Sequence, residues 1–386
     1  MSKPTTFQRK EIARFLDSLY EGDLHAKRVL SLANATLGVL TSASLAVHAI
    51  GQGLAHARGT LSKHGVKQVD RLLSNRGIDV WEFFAYWVPY MVGSRPSVVV
   101  ALDWTSFAAD GQDTLALSML TSHGRATPLL WMTVESSTLK GRQTDYEDQL
   151  LHRLWEVVPE GRSVTVIADR GFADCKLFKY LAEELGFGYV IRLRGQYYIT
   201  DAKGTRKQAR QWVGARGRTR TLRNATVTDS QAYQAPTVVC VHDKEMDEPW
   251  CLIASDPKVS ARMVVKWYAK RWGIETSFRD IKDLRFGMGM SSLRISQPAR
   301  RDRLLLLSAL AIALLSLLGA AGERLGYDRW LKANTVKRRT HSLFRQGLLL
   351  YEFIPTWPQE RLRPLLETFD SILHEQQALR DIFGVI

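Results

Sequence analysis

Acidic residues are in short supply in this chain, and so are cysteines. The 386 residues carry 39 Asp and Glu against 53 Lys and Arg, a formal charge of +14 at pH 7. This imbalance favours a polyanionic partner, whether DNA, RNA or an anionic membrane surface, without choosing among them. The three cysteines, Cys175, Cys240 and Cys251, stand far apart with no C-x-x-C pair. That excludes a disulfide framework and a cysteine zinc cluster, and it suits a reducing cytoplasm. The nine histidines show no metal-ligand spacing. There is no internal repeat and no low-complexity tract.

Long apolar runs are also missing, with one exception. The opening MSKPTTFQRKEIARF has no apolar core and does not read as a secretory signal. Leu304 to Gly322 is uncharged and just long enough to cross a bilayer. Yet Arg300, Arg301 and Arg303 precede it, Glu323 and Arg324 follow, and no second span accompanies it. Ser308, Ala309, Ala311 and Ala313 dilute its hydrophobicity. The expectation is a central helix buried in a large core, with no membrane partner; a peripheral membrane role is the competing reading. Otherwise the composition, 45% hydrophobic and 24% charged, is that of a soluble globular protein, and the length calls for two or three domains.

Residues 1–95 read as a helical domain. Apolar positions recur at helical spacing through Ile12, Phe15, Leu16 and Leu19 and again through Val66, Val69, Leu72 and Leu73. Gly51, Gly53, Gly59 and Gly65 read as turn residues between short helices. Lys63, His64, Lys67, Arg71 and Arg76 decorate the second stretch, which fits either a small DNA-binding domain or a helical cap with solvated cations. At Pro96 the texture changes. Ser97–Leu102 and Ser163–Ala168 are apolar, β-branched runs of the kind buried on both faces of a sheet. Between them come strand-like runs at Thr114–Leu120 and Ala126–Val134 and a helix at Asp145–Val158. After them come a helix at Asp174–Leu185, ended by Gly186, and a strand at Tyr189–Leu193. The pattern is a mixed α/β domain over 96–194, resumed at 258–325. The intervening 195–257 reads as a β-rich insertion, with strands at Thr237–His242 and Trp250–Ala254. Its run Lys203–Arg223 holds eight basic residues and no acidic one. A long amphipathic helix is expected from Ser260 to Asp283, and 326–386 reads as a helical C-terminal region.

The chemistry concentrates in three places. Asp103 and Asp169 each close a buried strand, at the carboxyl ends where sites form in open α/β sheets. Either one taken singly also fits a turn former. On the expected helix, at about 100° per residue, Tyr268, Arg271, Glu275 and Lys282 fall at roughly 0°, −60°, −20° and −40°. One face holds all four, beside an apolar stripe of Trp267, Ile274, Phe278 and Ile281. An amphipathic surface helix with an Arg271–Glu275 ion pair has the same spacing. Three converging carboxylates repel unless a cation neutralises them, and hard divalent ions with oxygen ligands do so. Such a pair of ions, roughly 3.5–4 Å apart, suits in-line displacement at phosphorus.

The spacing Tyr268-x2-Arg271-x3-Glu275-x6-Lys282 resembles the YREK signature of the DDE transposases of bacterial insertion-sequence family four. These are the enzymes of the cut-and-paste transposons ten and five, with the transposon-ten type the nearer. Further support lies in Lys63–Arg76 (KHGVKQVDRLLSNR), Ser122–Arg125 (SHGR), Glu248–Trp250 (EPW) and Ala333–Val336 (ANTV). The resemblance runs through nearly the whole chain. It implies a ribonuclease-H-like catalytic domain with a β-rich insertion, flanked by helical N-terminal and C-terminal regions. Asp103, Asp169 and Glu275 would be the catalytic and metal-binding triad, holding two Mg²⁺ ions for which Mn²⁺ substitutes. Tyr268, Arg271, Lys282, Trp250, Arg170, Lys63, Lys67, Arg71 and Arg76 would contact DNA, with Trp250 stacking on a base flipped from the transposon end. The implied partners are double-stranded terminal repeats and target DNA, engaged by a homodimer in a bacterial cytoplasm, at the nucleoid. The implied reaction is nicking, hairpin formation, hairpin opening and strand transfer. A catalytically inactive DNA-binding derivative is the alternative.

Overall fold

The computed structural model describes residues 9–20, 24–121, 125–228, 232–285 and 287–375. Residues 1–8 and 21–23 of the expected helical domain, 122–124 of the SHGR motif, 229–231 of the expected insertion, 286, and 376–386 of the C-terminal region lie outside the described residues.

Five helices come first: α1 (Arg9–Leu19), α2 (Ala26–Ser42), α3 (Val47–Arg58), α4 (Ser62–Leu73) and α5 (Val80–Val92). Of the four glycines expected at turns, only Gly59 ends a helix in the left-handed region, at φ +63°. Gly51 and Gly53 lie inside α3 and Gly65 inside α4. The reason is packing: a Cβ on Gly65 would collide with the carbonyl of Gly51, and one on Gly51 with the backbone of Val66. The missing side chains let α3 and α4 touch backbone to backbone.

The sheet follows. Strand β1 (Ser97–Phe107) is longer than its apolar run, because it goes on pairing with β2 (Gln112–Leu120) as far as Phe107 opposite Gln112. Next come β3 (Ala126–Glu135), helix α6 (Gln143–Val157) and β4 (Ser163–Ala168). Helix α7 (Cys175–Lys179) continues into a wide turn in which Leu185 N–H reaches the Tyr180 carbonyl, five residues back, before β5 (Gly188–Arg192). β1 pairs parallel with β4, and β4 with β5.

The stretch 195–257 supplies β6 (Tyr198–Thr200), β7 (Arg206–Gln208), β8 (Arg220–Val227), β9 (Tyr233–Val241) and β10 (Trp250–Ala254). These strands do not form a sheet of their own. β10 pairs antiparallel with β5, so the order runs β3-β2-β1-β4-β5-β10-β9-β8-β6-β7 through one ten-stranded sheet.

The segment expected as one helix from Ser260 to Asp283 is two, α8 (Ala261–Ala269) and α9 (Trp272–Lys282). Between them the hydrogen bonds tighten: Lys270, Arg271, Gly273 and Ile274 each donate to the carbonyl three residues back. Two dockings set the break. α8 lies over β4, β5, β9 and β10. α9 is anchored at the start of β3, where Ser277 Oγ accepts from Ala126 N–H (2.9 Å) and donates to its carbonyl (2.9 Å).

Helices α10 (Pro298–Arg324), α11 (Leu343–Phe353) and α12 (Gln359–His374) complete the chain. The apolar run Leu304–Gly322 is the heart of α10 and is buried almost throughout, against α2, α11, α12 and β3. α10 and α11 meet through Gly319 and Gly347, where a Cβ on Gly347 would strike the Leu315 carbonyl. The first and last helices thus share one core around α10, continuous from Ile12 to Ile372. Val98, Val100 and Leu102 of β1 join that core, whereas Val99 and Ala101 face the opposite side beneath α8 and α9. β1 is buried on both faces, as its β-branched run foretells.

Candidate active site

The alternation of a strand carries the Val99–Ala101 row on to Asp103. The same parity places Asp169 on the side of Ile167, which belongs to the core under α8 and α9. The parallel ladder between β1 and β4 ends at Leu102 opposite Ala168. The next residue on each chain is an aspartate, so the two acids emerge side by side. Asp103 is not the end of its strand, since the antiparallel side continues with Asp103 opposite Ala116.

Glu275 comes to this pair on the first turn of α9, and Arg271 joins them. Arg271 Nη1 donates to Asp103 Oδ2 at 3.3 Å, and Nη2 makes a very short contact with Glu275 Oε1. The guanidinium is largely buried, with 14% of its side chain exposed against 19% for Asp103 and 34% for Glu275. Burial raises the Asp103 pKa from 3.8 to about 6, opposed by Arg271 and reinforced by Asp169 and Glu275. Burial acts to lower the Arg271 pKa, but the charges of Tyr268, Asp103 and Glu275 outweigh it and hold it above its ordinary value. Asp169 turns one oxygen to its own loop, where Oδ1 accepts from Gly171 N–H at 2.7 Å. Among the described residues no three acidic, histidine or cysteine side chains stand close enough together to hold a metal ion as they are.

The donor set nonetheless fits a hard divalent cation. Asp103 and Asp169 are adjacent, Glu275 is tied to Asp103 through one guanidinium, and all three offer the oxygen ligands that such an ion takes. Asp103 and Glu275 open onto a cleft of about 630 Å³, bounded also by Trp104, Arg279, Lys282 and Leu284.

The remaining expected site residues divide. Lys282 reaches the cleft but is tied back to β1, donating to Thr105 Oγ1 (3.1 Å) and the Ser106 carbonyl (2.7 Å), with Nζ 4.7 Å from the Phe107 ring centre. Tyr268 is buried and packs edge-on against Trp250, ring centres 4.9 Å apart. Burial, ahead of any charge, raises the Tyr268 hydroxyl pKa. Trp250 is partly exposed. Arg170 pairs with Glu248 at 3.1 Å, and Arg192 shares that carboxylate at 2.8 Å. Lys63, Lys67 and Arg71 project from α4 into solvent, and Arg76 is exposed just beyond its end. Sequence reasoning passed over Trp272, which opens α9 three residues before Glu275 and is 58% exposed. In the sequence it was detectable only as one more tryptophan. It also passed over Glu147, which is buried, accepts from Trp104 Nε1 (2.9 Å) and so fixes the indole next to Asp103.

No curated protein matches this chain. A family model described as a transposase DDE domain matches residues 94–314, more than half of its length.

Proposed function

Because the chain belongs to the transposase DDE-domain family, we propose that it excises and inserts a DNA element by in-line phosphoryl transfer, with Asp103, Asp169 and Glu275 as its metal-holding carboxylates. The observation that carries this reading is the emergence of Asp103 and Asp169 side by side where the parallel ladder stops, with Glu275 drawn to Asp103 through Arg271. Domains of this family generally use divalent metal ions. Asp103, Asp169 and Glu275 would hold Mg²⁺, with Mn²⁺ substituting, and a pair of such ions supplies Lewis acidity and a more acidic bound water.

The chain's own groups do the rest. Arg271 serves as the counter-cation that keeps Asp103 and Glu275 facing each other before DNA arrives, then turns toward a phosphate. Lys282 offers its ammonium to a second phosphate at the cleft wall. Trp250, backed by Tyr268, provides a π-face for an unstacked base. Water attacks one strand at the transposon end, displacing a 3′-hydroxyl. That hydroxyl attacks the opposite strand, water reopens the hairpin, and the same hydroxyl joins target DNA. Each step exchanges one P–O bond for another, so one site serves all four. The strand order β3-β2-β1-β4-β5 supports a ribonuclease-H-like catalytic core, and a homodimer would pair the two ends.

One observation favours a second reading, a DNA-binding derivative that no longer cuts: the unassembled metal shell. A single assay separates them. With DNA carrying the repeats that flank its gene, Mg²⁺- or Mn²⁺-dependent nicking and strand-transfer products are expected. Asp103→Asn should bind that DNA and leave it whole. Binding without any metal-dependent cleavage by the native protein would establish the second reading, and undiminished cleavage by Asp103→Asn would remove the triad.

A further inference from the structure

A second cleft, of about 570 Å³, opens where the end of α4 meets the start of α10. Four guanidiniums line it, those of Arg76, Arg294, Arg300 and Arg303, against the single carboxylate of Asp70. Arg300 is structural: it donates to Asp70 at 2.7 Å and to Ser74, and so pins α10 to α4. Arg303 is 9% exposed and spends Nε on the Ile78 carbonyl (2.9 Å) and Nη1 on those of Leu73 and Ala299 (both 3.1 Å). Its Nη2 has no partner among the described residues. Arg76 is exposed and likewise has none among them. Arg294 donates to the Ala109 carbonyl at 2.6 Å and stands 3.8 Å from the buried Asp110 carboxylate, yet 76% of its side chain remains exposed.

At Arg303 the neighbouring cations add to the effect of burial. Burial lowers the Arg303 pKa, Asp302 and Asp79 oppose that, and Arg300 and Arg76 lower it further. The walls add to this field. α10 begins at Pro298 with no side chain capping its first turn, so the positive end of a 27-residue helix lies at the cleft wall formed by Gln297 and Ala299. Planar guanidiniums arrayed around a polar hollow match the tetrahedral oxygens of a phosphate group.

The position of the cleft identifies the source of that phosphate. Ser291 and Ser292 line the acidic cleft, and Arg294, Ser296 and Gln297 line this one. One short segment therefore forms a wall of both. Beyond Arg76, the exposed cations of α4 extend the track outward. We infer that this hollow is a phosphate-binding site that grips the backbone of the DNA leaving the acidic cleft, with Arg76, Arg294 and the Nη2 of Arg303 as its donors. The inference rests on the DNA-processing reading above. The grip is blind to base sequence and sets where the duplex lies relative to Asp103.

The test uses the full-length double variant Arg76→Ala/Arg294→Ala, whose mutated side chains are exposed and leave the Arg300–Asp70 pin in place. Binding to one duplex is measured by fluorescence anisotropy at several salt concentrations, with the urea midpoint as the check on folding. With one or two fewer phosphates neutralised, the slope of log K against log salt should flatten by about 1–2. Arg76→Lys/Arg294→Lys should restore most of it. A native protein that binds duplex, beside an alanine variant with unchanged slope, overturns the cleft while sparing the transposase reading. A native protein that binds no duplex at any salt overturns both. A third arm titrates inorganic phosphate alone. If phosphate raises the urea midpoint of the native protein but not of the alanine variant, while the duplex slopes coincide, the hollow takes a free anion and the DNA assignment is overturned.

Discussion

Neutralising Asp103 should stabilise the metal-free protein, and the size of the gain should depend on pH. The carboxyl is mostly shielded, its side chain being 19% exposed, and its pKa stands at about 6 instead of 3.8. The attraction of Arg271 at 3.3 Å is already counted in that net rise. An acid whose folded pKa is raised binds its proton more tightly when folded. Its favourable contribution is complete below the ordinary value and is lost as pH climbs through about 6. A rise of about two pH units corresponds to about 3 kcal/mol. In EDTA at pH 8, Asp103→Asn should therefore be more stable than the native chain by up to about 3 kcal/mol. The gap should close toward pH 4. Urea titrations at pH 4.5, 6 and 8 read this directly. Adding Mg²⁺ at pH 8 should stabilise the native chain, by about 1.4 kcal/mol at tenfold excess over its dissociation constant, and leave the variant unmoved. A variant less stable than the native chain at pH 8, or a difference that ignores pH, would refute the picture of a buried acid waiting for a cation.

Three further outcomes follow from the same geometry. Arg271→Ala strips Asp103 and Glu275 of their shared cation. It should lower metal-free stability by roughly 1–3 kcal/mol, abolish cleavage and respond to Mg²⁺ more strongly than the native chain; equal Mg²⁺ stabilisation of the two proteins would deny the guanidinium its counter-cation role. Gly347→Val drives a side chain into the Leu315 carbonyl where α10 and α11 touch. A destabilisation of roughly 2 kcal/mol or more is expected in urea denaturation, and a native-like midpoint would show that the two helices can separate without penalty. Replacing Lys203, Arg206 and Lys207, all exposed, by alanine should reduce the salt slope of DNA binding by about 0.9 for each phosphate left without its cation; an unchanged slope would place that basic run away from the nucleic acid.

Local sequence alone determined those features whose physical cause is local. β4 lies where its apolar β-branched run lies, β10 on a short apolar run, and α10 on the one long uncharged run, because burial on every side demands apolar composition. The i, i+4 contact between Arg271 and Glu275 was equally legible, being a property of one helical turn. Everything that depended on a distant partner was not. Glycine carries no mark distinguishing a turn from a close helix crossing, so Gly51 and Gly65 declared their role only when α3 met α4. The stripe Trp267, Ile274, Phe278, Ile281 runs unbroken across the boundary between α8 and α9. The break there goes with two separate dockings, α8 on β4, β5, β9 and β10, and Ser277 on the backbone of Ala126, a residue 151 positions away. The stretch 195–257 showed two of its five strands, β9 and β10, and not that β10 would extend the sheet at β5. Most telling is Arg271: its spacing sets it on one helix face with Glu275 but names no partner on the sheet. Only the parallel register of β1 with β4, which sets Asp103 beside Asp169, makes it the bridge between a strand-borne and a helix-borne acid. Periodicity is encoded within a segment, whereas charge compensation belongs to whatever the fold brings within a few ångströms.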